Sequence, residues 1–252
     1  MRIHAISDIH VDFAANARWV SDLSLHDYRD DVLILAGDIA DELGLLTRCF
    51  RELARRFRAV LYVPGNHDLW VSRGAAADSF EKLRQVRERA IDSDVQLGPY
   101  SVGSVSIVPL MGWYDYSFGA PSAELLDLWM DQWACRWPEG FDAPALARLF
   151  ADSNGELLAA RNDDVISFSH FVPRIDLMPS YIPARHRLVY PVLGSSLIEE
   201  QIRVLRSGLH VYGHSHVNRD MGLDGVRYVN NALGYPSETR ISGRRLACIY
   251  ES

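Results

Sequence analysis

The chain has 252 residues and a mass of 28.5 kDa, with 48% hydrophobic and 23% charged residues and a mean hydropathy of -0.08. These are globular values, which exclude a disordered chain or a small disulfide scaffold and lead us to expect a single domain over 1–252. A net charge of -7 gives no general reason to seek a polyanion or an acidic membrane as partner. The widely spaced Cys49, Cys135 and Cys248, the lack of an apolar leader and the lack of an 18-residue apolar run lead us to expect a cytoplasmic protein without a membrane segment.

In chain order, a short apolar strand is predicted at 3–7 and runs directly into Asp8-Ile9-His10. A second at 32–36 runs into Gly37-Asp38, and the next amphipathic stretch, 43–57, reads as a helix with Asp41 as its N-cap. A third strand at 59–63 leads through Pro64-Gly65 to Asn66-His67-Asp68, followed by a predicted helix over 75–90 and a strand over 104–110. The periodicity then lapses, and eight aromatics crowd into an insertion at about 111–143. They either fill a small core of their own or line a substrate pocket beneath a lid. Trp113 and Tyr114, nearest the strand end, are the expected pocket-lining groups, while Trp129, Trp133 and Trp137 at spacings of four are expected on one helical face.

Beyond the insertion come a helix over 145–161 and a strand over 165–169 that ends at His170. Arg174 follows it closely and is the expected phosphate clamp, because its planar fork matches phosphate oxygens. A helix over 196–206 precedes a strand at 209–212 that leads through Gly213 to His214-Ser215-His216. Strands at 226–229 and 246–250 complete the chain, with Gly234-Tyr235-Pro236 expected at the pocket rim. Short, nearly all-apolar strands alternating with amphipathic helices imply an α/β layered sandwich.

Five strands thus run into metal-type ligands. In open α/β sheets the site lies beyond the carboxyl ends of strands, so Asp8, His10, Asp38, Asn66, His170, His214 and His216 are expected to converge. In extended backbone residues i and i+2 face the same way, which would turn Asp8 with His10, and His214 with His216, toward one centre. Glycines at 37, 65 and 213 are expected to free the backbone where each strand turns into the site. Seven ligands are too many for one tetrahedral ion and suit two ions sharing a carboxylate. Two carboxylates against two divalent ions leave a positive centre, suited to in-line displacement at phosphorus. The mixed N/O donors are compatible with Mn, Fe, Zn or Co.

At these residues the sequence resembles the calcineurin-like metallophosphoesterase superfamily, whose blocks D-x-H, G-D, G-N-H-[DE], H and G-H-x-H occur here in order over residues 8–216. The resemblance implies a four-layer α-β-β-α sandwich of two mixed β-sheets with a dinuclear site at the strand C-terminal ends. It would place one ion on Asp8, His10 and His216 and the other on Asn66, His170 and His214, with Asp38 and a hydroxide bridging two divalent or mixed-valence ions. His67 would protonate the leaving oxygen, and Asp68 would orient it. The motifs depart from the protein Ser/Thr phosphatase pattern, and Asp41 stands where purple acid phosphatases carry an iron-binding tyrosine. The implied function is hydrolysis of a phosphate ester, with a small molecule such as a nucleotide as the expected substrate. A nuclease would share the chemistry, but the acidic balance counts against a nucleic-acid partner. A non-catalytic scaffold would be expected to lose ligands, and all seven are present.

Overall fold

The computed structural model describes residues 1–159 and 164–251. Two mixed β-sheets stack face to face with helices outside them. The first has the strand order β11-β1-β2-β3-β4, formed by β1 (Arg2–Ile6), β2 (Val32–Leu35), β3 (Ala59–Tyr62), β4 (Val95–Gln96) and β11 (Ala247–Glu251). Strands β1 to β4 are parallel and only β11 is antiparallel. The second has the order β5-β6-β7-β8-β10-β9, formed by β5 (Tyr100–Val102), β6 (Val105–Pro109), β7 (Asp164–Phe168), β8 (Leu209–Tyr212), β9 (Arg219–Leu223) and β10 (Val226–Asn230). Its β6, β7, β8 and β10 are parallel, with antiparallel strands at both edges.

The all-apolar β2 is explained by burial on both faces. Val32 and Ile34 point between the sheets, while Leu33 and Leu35 point to an outer layer. Helix α2 (Leu43–Ala54) covers that outer face with Leu46, Cys49, Phe50 and Leu53, a stripe at helical spacing. Each such Leu or Phe contributes about 1.5–3 kcal/mol when fully buried. Helix α3 (Ser79–Ile91) joins the layer through Val86 and Ala90, its N-cap Asp78 accepting the Glu81 N–H. On the second sheet, α6 (Ala143–Ser153) and α7 (Ser196–Val204) bury Leu146, Phe150, Ile198 and Ile202.

All eight predicted strands form, but β4, β5, β9 and helix α1 (Ala14–Asp22) carry too little signal to be foreseen. Strands β4, β5 and β9 are short or exposed edges, and α1 buries only Asn16 and Val20. The end of the helix predicted over 145–161 lies outside the described residues; α6 itself stops at Ser153. The expected tryptophan face does not form. Helices α4 (Ala123–Leu128) and α5 (Asp131–Ala134) are too short, so Trp129 closes α4, Trp133 is 70% exposed, and Trp137 packs against Phe80 and Trp113.

Candidate metal centre

The carboxyl ends of β1, β2 and β3 in one sheet meet those of β7 and β8 in the other. A bridge between Ser7 and Ala232 links the two sheets at this end. Asp8, His10, Asp38, His214 and His216 all have left-handed backbone, with φ between 45° and 63°. The side chains therefore converge through kinks rather than through the expected extended pairs. Asp and His tolerate this region better than most residues, yet each such residue costs about 1–3 kcal/mol and persists only where surrounding contacts hold it. Of the three glycines, only Gly37 has positive φ (81°). Gly65 and Gly213 serve close approach instead, since a Cβ at either would collide with the Asp38 or the Asp8 carboxylate.

The seven residues form two groups that share Asp38. In the first, donor atoms of Asp8, His10, Asp38 and His216 lie within 4.8 Å of one another, with His10 Nε2 3.2 Å from His216 Nε2 and Asp8 Oδ1 3.3 Å from His216 Nε2. In the second, His170 Nε2 lies 3.1 Å from His214 Nδ1, 3.1 Å from Asn66 Oδ1 and 3.4 Å from Asp38 Oδ2. Asp38 Oδ2 faces both groups, while Oδ1 accepts the His67 backbone N–H at 2.9 Å.

The donor set fits cations. His216 Nδ1 meets Glu238 Oε2 at 2.6 Å, His170 Nδ1 meets the Ala36 carbonyl at 2.9 Å, and His214 Nε2 meets the Val192 carbonyl at 3.1 Å. With those N–H groups directed outward, the inward nitrogens face one another and the carboxylates, where a bound ion would take the place of a proton. This is how outer partners set metal-ligating histidines. The field agrees. Burial opposes charge on His216 and His170, yet Asp8 and Glu238 lift the former to about 10 and Asp38 with Asp8 the latter to about 9. Burial pushes the Asp38 carboxyl up, but His170 and His67 hold it well below the usual carboxylate range.

His67 projects beside this centre. Its ring stacks on Trp70 with centroids 3.7 Å apart, and its Nδ1 lies 2.9 Å from Asp41 Oδ1. Burial lowers its basicity, but Asp38 and Asp41 raise it above the ordinary histidine value. The orienting contact expected of Asp68 therefore belongs to Asp41. Asp68 instead accepts the backbone N–H groups of Asp38, Ile39, Ala40 and Gly65 and the Tyr62 hydroxyl, which fixes the loop carrying Asp38. Nor does Asp41 cap α2, whose N-cap position is Glu42. Lys82 Nζ donates to the Asp41 carbonyl at 2.7 Å and holds that loop from below.

The substrate-binding expectations fare differently. Tyr235 reaches the site: its ring centroid is 4.6 Å from that of His10, and its hydroxyl is 3.5 Å from His67 Nε2. Arg174 is committed elsewhere, in a cage of Asp176, Asp224 and Glu199 that occupies its guanidinium and argues against a phosphate clamp. Trp113 and Tyr114 are each 1% exposed and pack against Phe171; they back a cleft within the insertion, beside Asp131 and Trp137, whose lining includes none of the seven candidate ligands.

Two further groups escaped the sequence reading. Glu238 follows β10 and has no motif of its own; only the return of the chain brings it to His216. Asp131 lies in the aromatic insertion and accepts from Asn66 Nδ2 at 2.9 Å. Changing Glu238 to Gln removes the carboxylate that orients His216, and affinity for one ion is expected to fall roughly 10–100-fold. Chelator competition measures this; retention equal to that of the unmodified protein would contradict it.

The calcineurin-like phosphoesterase family profile matches residues 1–218. Among curated proteins, an [acyl-carrier-protein] phosphodiesterase, PptH, of Mycobacterium tuberculosis is 28% identical over 259 residues, covering 94% of this chain and 78% of that protein. The crystal structure of the phosphopantetheinyl hydrolase PptH from the same organism superposes with a TM-score of 0.79 at 25% identity, over 93% of this chain and 90% of that one. GAP50, the anchor in the inner membrane complex of Plasmodium, shares the fold with a TM-score of 0.50 at 10% identity, over 96% of this chain and 74% of that one. Among the described residues no helix is long and apolar enough to cross a membrane.

Proposed function

Because the chain belongs to the calcineurin-like phosphoesterase family and is a hydrolase of phosphate ester bonds, we propose that it cleaves the phosphodiester joining a phosphopantetheinyl group to a carrier protein. The observation that carries this reading is the likeness to the mycobacterial phosphopantetheinyl hydrolase across more than nine-tenths of this chain, in sequence and in fold. The expectation of a free nucleotide gives way to a protein-attached substrate. The closed packing of Trp113 and Tyr114 agrees, because it leaves neither ring free to stack on a base.

In this reading Asp8, His10 and His216 would hold one ion, Asn66, His170 and His214 the other, and Asp38 would serve both. Two divalent ions of Mn, Fe, Zn or Co would polarise the phosphoryl group and activate water at neutral pH. The residues around them move the remaining proton. His67, held through Nδ1 by Asp41, presents Nε2–H to the leaving oxygen, and the Asp41 carboxylate stabilises the charged ring before transfer. The Tyr235 hydroxyl flanks the same nitrogen, and its ring packs on that of His10.

The test is hydrolysis of a phosphopantetheinylated carrier protein beside bis(p-nitrophenyl) phosphate, a cyclic nucleotide and a nucleoside monophosphate, with protein reloaded separately with each metal. Mass spectrometry is expected to show the carrier losing its phosphopantetheinyl group. Cleavage of the small diesters with the carrier untouched would overturn the substrate while leaving the phosphoesterase chemistry standing.

A further inference from the structure

Asp131 lies 65 positions from Asn66 in sequence, in the aromatic insertion, yet its carboxylate is buried against the metal centre. Its Oδ1 accepts from Asn66 Nδ2 at 2.9 Å and from Trp70 Nε1 at 2.7 Å, and its Oδ2 accepts from Trp129 Nε1 at 2.9 Å. Each of these three donors leads to a different part of the site. Asn66 Oδ1 faces His170 Nε2 at 3.1 Å, the Trp70 ring stacks on His67, and the Trp129 ring meets His214 edge-on with centroids 5.9 Å apart.

The consequence for Asn66 is specific. A carboxamide presents either an oxygen or an NH₂ group to a given point, and only the oxygen can ligate a cation. Asp131 accepts from the NH₂ end, so the oxygen is turned to His170, whose Nε2 also faces His214. We propose that Asp131 is a positioning residue for the metal site built on Asn66, His170 and His214. Through it the 111–143 insertion is an integral part of the metal centre. The insertion therefore sets the occupancy of that one ion site, in addition to any effect on substrate access. The inference rests on the two-ion reading of the centre. In the first group, Asp8, His10 and His216 make no hydrogen bond to Asp131, whose carboxylate is taken by Asn66, Trp70 and Trp129.

The roles of the two carboxylate oxygens supply the test. In Asp131→Asn, the amide oxygen can take the place of Oδ1 and still accept from Asn66 and Trp70, while the NH₂ group opposes only the Trp129 N–H. Adding Trp129→Phe removes that opposing donor. In Asp131→Leu no acceptor remains, and the Asn66 amide is free to turn its NH₂ group inward. Metal content is measured by mass spectrometry on reloaded protein titrated with chelators of increasing strength, alongside thermal unfolding. Asp131→Leu is expected to lose one of two ions at roughly 10–100-fold lower chelator strength and to keep the other. Asp131→Asn with Trp129→Phe is expected to hold both ions as the unmodified protein does.

Retention of both ions in Asp131→Leu would overturn the proposal, as would loss of both together. If Asp131→Leu does not fold, the paired variant decides, since loss of one ion there would mean that charge rather than an oriented acceptor is what matters. If the unmodified protein binds a single ion, the two-ion reading itself fails, and this outcome is separable from every variant result.

Discussion

Asp38→Ala is expected to abolish hydrolysis and to deplete both metal ions. Its Oδ2 faces His10 in one group and His170 in the other, and Oδ1 also pins the His67 backbone. Removing it takes half of the formal anionic charge from the seven ligands and unties the two groups at once. Charge stabilisation by metal ions is worth several kcal/mol, so a fall of roughly three orders of magnitude or more in kcat follows. The measurement is steady-state hydrolysis with elemental analysis of the same preparation. Full activity with a single ion, or two ions retained in Asp38→Ala, would contradict the shared-carboxylate reading.

His67→Ala is expected to do the opposite with the metals: both remain, while kcat falls roughly 10²–10⁴-fold, the usual contribution of a positioned acid. The ring is not among the clustered donors; it stacks on Trp70, pairs with Asp41 and meets the His10 ring edge-on with centroids 4.7 Å apart. The deficit should narrow for esters with good leaving groups, which require less protonation. Asp41→Asn tests the same pair by pH. In the proposed mechanism His67 acts protonated, and Asp38 and Asp41 raise its basicity, so activity is expected below the His67 pKa and is lost as pH rises through it. Removing the carboxylate's charge should move that alkaline limb to lower pH. An unmoved limb, or a metal-depleted His67→Ala, would show that the ring has another role.

The clustering of the seven candidate ligands was legible in sequence because each stands at or just beyond the end of an apolar strand, and parallel strands deliver their carboxyl ends to one edge. Eight strands and the helices over 43–57 and 196–206 were legible for a related reason: burial on both faces, or on one stripe, leaves a periodic signature. The edge strands and α1 left none, being short or largely exposed. The roles around the ligands were not legible either, because an outer partner is selected by distance rather than by spacing. Asp68 adjoins His67 in the chain, yet the chain turns there and gives Asp68 to the backbone of 38–40, leaving His67 to Asp41. Arg174 follows a ligand strand but finds three carboxylates before it could find a phosphate. Asp131 and Glu238 come from segments with no motif and touch Asn66 and His216 only after the insertion and the chain beyond β10 have packed. Sequence alone therefore determined which metal-type side chains gather and at which end of the sheets they do so. The tertiary structure decided which nitrogen of each histidine and which end of Asn66 faces inward, since those choices depend on hydrogen-bond partners distant in the chain.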